Sequence, residues 1–100
     1  MAKLIIDIRP SLVARPFHLA FTKPVVELDG VETETVWGTT ELPVGDGSHR
    51  IGVAFRYRGQ QKARLALSQE EFTVGAEATE VRLTAQLGAR NGSRFTISVD

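Results

Sequence analysis

A chain of 100 residues is close to the commonest size of a single domain and is long enough for one two-layer core but not for two cores. The composition, 42% hydrophobic and 24% charged, is that of an ordinary globular protein, with no low-complexity run and no long Pro/Gly/Ser linker. Twelve Lys and Arg balance twelve Asp and Glu, so no net field draws the molecule onto nucleic acid or an anionic membrane; the absence of Cys removes disulfides, thiolate metal sites and Cys nucleophiles together.

In chain order the residues read with a period of two. Leu4, Ile6 and Ile8 alternate along Lys3 to Arg9, and Pro10, with no amide hydrogen to donate, ends that strand. The apolar run there is interrupted by Asp7 and is too short for a signal peptide or a membrane span. With Met1 as the natural start, the protein is expected in the cytoplasm. Phe17, Leu19 and Phe21 alternate along Phe17 to Thr22, which predicts a second strand with those three inward. Asp29-Gly30 predicts a tight hairpin turn between Val25 to Leu28 and Val31 to Trp37, because both positions of such a turn need positive φ. A short strand at Thr40 to Val44 leads through the Gly45-Asp46-Gly47-Ser48 turn into Arg50 to Arg58, where Ile51, Val53, Phe55 and Tyr57 are expected inward. Gly59-Gln60 reverses the chain into Lys62 to Leu67, and Glu70 to Val74 follows as a separate short strand. Thr79 to Leu87 presents Val81, Leu83, Ala85 and Leu87 inward; after an Asn91-Gly92 turn, Phe95, Ile97 and Val99 close the core.

About eight strands, each apolar on one side, need a second apolar layer to cover them. The expected fold is therefore a single all-β domain over residues 1–100, an antiparallel two-sheet β-sandwich that is immunoglobulin-like only in the loose architectural sense; a small barrel is the alternative.

Three runs carry a family resemblance: Val25-Val26-Glu27-Leu28-Asp29-Gly30, Trp37-Gly38-Thr39-Thr40-Glu41-Leu42-Pro43-Val44, and Gly47-Ser48-His49-Arg50-Ile51-Gly52-Val53. Across residues 25–87 the chain resembles the PEGA-type β-sandwich modules of bacteria, and it is similar to small actinobacterial proteins of unknown function that place Trp-Gly before the same turn. It departs from the family where the PEGA tetrapeptide belongs, having Gly45-Asp46-Gly47-Ser48 there. The resemblance implies an accessory or interaction domain without a catalytic site.

The neutral total hides two opposed blocks. Residues 25–46 hold six acids (Glu27, Asp29, Glu32, Glu34, Glu41, Asp46) and no base, while residues 47–69 hold five bases (Arg50, Arg56, Arg58, Lys62, Arg64) and no acid. Either these are the outer faces of hairpins that pair with each other, or Glu32 and Glu34 of one copy meet Arg56, Arg58 and Arg64 of another in a homo-oligomer. Other chemistry is weakly signalled. His18 and His49 stand 31 residues apart, and His49 reads as a residue flanking a turn. Glu32 and Glu34 with Asp7 or Glu27 are a conceivable calcium set, but no Asp-rich loop accompanies them. No Gly-x-Ser-x-Gly elbow is present, and Arg56-Tyr57-Arg58 lacks the exposed aromatics of a single-strand nucleic-acid platform. Trp37 is either core filler or, with the acidic hairpin as wall, the floor of a small-ligand or carbohydrate site. The resulting expectation is a non-enzymatic interaction or self-assembly module with a protein partner, no cofactor, no metal, no nucleic acid and no membrane, using Glu32, Glu34, Arg56, Arg58, Arg64 and Trp37 as its contact residues.

Overall fold

The computed structural model describes residues 2–11, 15–88 and 94–100. Along them run β1 (Ala2–Arg9), α1 (Arg15–Phe21), β2 (Thr22–Leu28), β3 (Val31–Glu34), β4 (Gly38–Val44), β5 (Gly47–Tyr57), β6 (Leu65–Val74), β7 (Glu80–Leu87) and β8 (Phe95–Val99). Two four-stranded sheets, ordered β4-β1-β7-β8 and β3-β2-β5-β6, face each other as an all-β sandwich rather than closing into a barrel. Every pairing is antiparallel except that of β1 with β7. Leu4, Ile6, Ile8, Leu83, Ala85, Leu87 and Phe95 of the first sheet meet Val26, Ile51, Val53, Phe72 and Val74 of the second, all at most 5% exposed.

The expected strand over Phe17 to Thr22 is a helix as far as Phe21, and Thr22 opens β2. Alternating Phe17, Leu19 and Phe21 suits a strand, but Pro16 falls in the first helical turn, where a missing amide hydrogen costs nothing. A helix of seven residues is not stable by propensity alone, so packing has to hold it. Its anchor is His18, which is buried, whereas Phe17, Leu19 and Phe21 are exposed. Arg58 covers the helix end: its backbone amide donates to Phe21 O (2.9 Å) and its Nε to Ala20 O (3.1 Å).

Alternation also fails along β5. Ile51 and Val53 face the core, but Gly52, Ala54 and Arg56 on the other face are buried as well. This strand lies in the middle of its sheet, between β2 and β6, and side chains of both neighbours fold over it: Glu27 Cβ, Leu67 Cδ1 and Gln69 Cγ stand 3.5 Å from where a Cβ on Gly52 would lie. Tyr57, expected inward, is 41% exposed, its ring edge-on to Phe17 of α1. The two segments expected at Lys62 to Leu67 and Glu70 to Val74 are one strand, β6, whose register against β5 shifts between Val53 and Phe55; Ala66 takes up the irregularity at φ 57°. β7 and β8 pair as a hairpin, but Asn91-Gly92 lies outside the described residues.

Candidate functional site

Helical geometry divides the side chains of α1 into two exposed flanks. With His18 directed inward, Phe17 and Phe21, four residues apart, share one flank, and Arg15 and Leu19 share the other. The first flank is aromatic. Phe17 lies 5.3 Å from Phe21 and 5.9 Å from Tyr57 between ring centroids, and the three are 43%, 57% and 41% exposed in that order. Beneath them His18 sits edge-on to Phe55 (5.1 Å) and Trp37 (5.6 Å), and burial pushes its pKa below the ordinary histidine value. The second flank borders a cleft that Trp37 also lines.

The two charge blocks meet within one chain. Arg56, 1% exposed, pairs with Glu34 (3.1 Å) and Glu32, and it also donates to the carbonyls of Gln61 (2.6 Å) and Ala63 (3.0 Å). Glu34 takes a second partner in Lys23 (2.9 Å), whose hydrogen bond is the largest cause holding that carboxyl below the usual range. Arg64 pairs with Glu27 at 2.6 Å and Arg50 with Glu71 at 2.9 Å. The registers that place Lys23 opposite Arg56 and Val25 opposite both Ala54 and Glu34 bring the acidic β2–β3 hairpin beside β5. Of the residues expected to contact another copy, Glu32 and Glu34 thus pair in-chain with Arg56, Arg64 pairs in-chain with Glu27, and Arg58 covers α1. Arg56 in particular has no surface to present, a consequence of the central position of β5.

Trp37 is partly buried against the core, parallel to Phe95 at 6.1 Å, and its Nε1 donates to Thr22 Oγ1 at 3.2 Å. The acidic hairpin does not form a wall beside it; the cleft residues come from β1, α1, β4 and β7 instead. Asp7, expected with Glu32 and Glu34 in a calcium set, belongs to the opposite sheet. Among the described residues no three His, Cys, Asp or Glu side chains converge as metal ligands. None of the described helices is long and apolar enough to cross a membrane.

The chain matches no family model, no curated protein and no solved structure. The sequence reading missed the aromatic group of Phe17, Phe21 and Tyr57 because a strand assignment turned all three inward. A signal was available in Arg15-Pro16 ahead of the apolar residues, since proline favours the first turn of a helix. His49 was read only as a turn neighbour; its partner Asp29 is 20 positions away, and no local pattern announces that pairing.

Proposed function

We propose that the protein is a non-enzymatic interaction module that docks a protein chain, and a second copy of itself first of all, through the aromatic flank of α1. The observation that carries this reading is the exposure of Phe17, Phe21 and Tyr57 side by side on one surface. Aromatic side chains supply large apolar area at little entropic cost, and they concentrate in the centres of protein interfaces rather than on free surfaces. An isologous contact across a two-fold axis would place this group against its own copy. Glu27, Glu32, Glu34, Arg56 and Arg64 of the two blocks are paired within the chain, so such an association is driven by apolar burial and not by salt-sensitive pairing. The accessory role implied by the PEGA-type turns points in the same direction.

Size-exclusion chromatography with light scattering, from tens of micromolar to about 1 mM, tests the proposal. The expected result is a mass rising toward twice 11.0 kDa, unchanged between low and high salt and abolished by Phe21→Ser. A parent that stays monomeric throughout overturns self-docking, and a dimer that dissociates in salt overturns the apolar surface.

A further inference from the structure

The other flank of α1 borders a cleft of about 400 Å³, lined by Asp7, Arg9 and Pro10 of the β1 end, Arg15 and Leu19 of α1, Trp37 and Gly38 before and in β4, and Gln86 of β7. That volume lies in the range of roughly 300–1,000 Å³ that small-molecule sites occupy. We propose that this cleft binds a small monocarboxylate carrying an apolar ring, with Arg15 gripping the carboxylate and Trp37, Leu19 and Pro10 enclosing the ring.

Charge selects the anion. Arg9 is already engaged, its Nε donating to Asp7 Oδ2 at 2.8 Å. Arg15 has no carboxylate at ion-pair distance among the described residues. Two guanidiniums against one carboxylate leave the cleft with a single positive charge, which one carboxylate neutralises. A planar guanidinium fork matches a planar carboxylate through two parallel hydrogen bonds, with charge assistance. A phosphate monoester fits less well, because its second negative charge would face Asp7 without compensation.

The remaining polar group restricts the ligand further. Gln86 Nε2 donates to Pro10 O and Leu87 O, both at 3.0 Å; two carbonyl partners fix the amide orientation and leave Oε1 as its free acceptor. The amide therefore offers the anion no donor, and the carboxylate has to sit at the Arg15 end. Trp37 is a prepared wall, since stacking on the buried Phe95 and a hydrogen bond to Thr22 hold the indole in place before any ligand arrives. The site lies across α1 from the aromatic docking surface, so binding here stands independently of self-association.

Titration followed by proton–nitrogen NMR tests the inference, because Trp37 is the only tryptophan and its indole signal is unambiguous. The probe is phenylacetate, compared with the neutral phenylacetamide and with phenyl phosphate. The expected result is a saturable shift of the Trp37 indole and Gln86 side-chain signals by phenylacetate, with both comparators about tenfold weaker. Arg15→Gln should weaken phenylacetate about tenfold and erase its advantage over the amide, Arg15→Lys should fall between, and Arg50→Gln on the other sheet should leave binding unchanged. Retained signal dispersion in each variant shows that it is folded, and Phe21→Ser should keep full ligand binding. Absence of saturable shifts at tens of millimolar, equal binding of acid and amide, or tighter binding of phenyl phosphate would each overturn the proposal.

Discussion

His49 Nδ1 lies 2.5 Å from Asp29 Oδ2, and the other ring nitrogen, Nε2, lies 2.7 Å from the carbonyl of Gly45. Both partners are acceptors, so the arrangement favours the doubly protonated imidazolium over the neutral ring. The Asp29 hydrogen bond first, and the Gly45 carbonyl second, raise the His49 pKa above its ordinary value of 6.5. Reciprocally, His49 first and the Arg50 amide second lower that of Asp29 below 3.8. A raised histidine stabilises the fold fully below the unfolded value and loses that contribution as pH climbs through the folded one. A lowered carboxyl does so above its unfolded value and loses the contribution as pH falls. Stability from this pair is thus greatest between about pH 4 and 6.5 and declines on the alkaline side. His18 runs oppositely, since burial lowers its pKa and its cost appears as pH drops below about 6.5. The expected outcome is that the melting temperatures of the parent and His49→Gln converge as pH rises past the folded His49 pKa, and that the two histidines titrate on opposite sides of 6.5 by NMR. A difference between parent and variant that does not change with pH would rule out the charged pair.

Arg56 links the β2–β3 hairpin to the segment leading into β6, through Glu32 and Glu34 on one side and the carbonyls of Gln61 and Ala63 on the other. Removing the buried guanidinium opens a gap and leaves the carbonyls of Gln61 and Ala63 without their donor, while Glu32 and Glu34 keep access to water. Arg56→Ala should therefore cost about 3–5 kcal/mol in urea denaturation, whereas Arg58→Ala at an exposed site should cost about 1 kcal/mol or less. Charge reversal is informative here as well. Arg56→Glu should be severely destabilising, and adding Glu32→Arg and Glu34→Arg should recover part of the loss with no change in molecular mass. Restored assembly in the triple variant would instead show that these charges pair between copies.

The hairpin turn supplies a second test. Asp29 and Gly30 have φ of 51° and 85°, as a tight two-residue turn requires. Gly30→Val should cost about 1–2 kcal/mol or more from backbone strain alone, because a Cβ there meets no neighbour within 4 Å. The comparison is Thr73→Val, which is exposed in β6 and already β-branched. Gln60 is a poorer control than its exposure suggests, because its Oε1 accepts the Tyr57 amide at 2.9 Å. Equal midpoints for the two variants would mean that Gly30 is unstrained.

The sheet residues were legible where one face of a strand is solvated. Leu4, Ile6 and Ile8, or Leu83, Ala85 and Leu87, alternate in the sequence and stand in the core as expected. Legibility ended where burial stopped following alternation. Arg56 reads as an outward residue of a two-faced strand, and only the closing of flanking side chains over β5 makes it a buried hub. Phe17, Leu19 and Phe21 fit either period over so short a stretch, and tertiary packing of His18 decided for the helix. In the cleft, Gln86 is far along the chain from Asp7 and Arg15, so only the parallel pairing of β1 with β7 and the placement of α1 bring the three together.

Phe55 offers the sharpest test of how α1 is held. The ring is only half-buried, yet it packs against the core while touching His18 at 5.1 Å, Tyr57 at 6.3 Å and Trp37 at 6.4 Å between centroids. Its position is at the helix-covered end of the sandwich and not at the centre, where Ile51 and Val53 are fully enclosed. Truncation therefore removes the floor beneath His18 more than it opens the core. Phe55→Ala should cost about 3 kcal/mol, the low end for a large aromatic, because solvent and α1 can partly collapse into the gap. Against a typical total of roughly 5–15 kcal/mol, the domain should stay folded in water. Amide exchange should then accelerate throughout α1 while β1 and β7 remain protected, since those strands lie in the other sheet with their own apolar contacts. Uniformly faster exchange in both sheets would place Phe55 in the cooperative core after all, and unchanged exchange in α1 would show that the helix is anchored elsewhere.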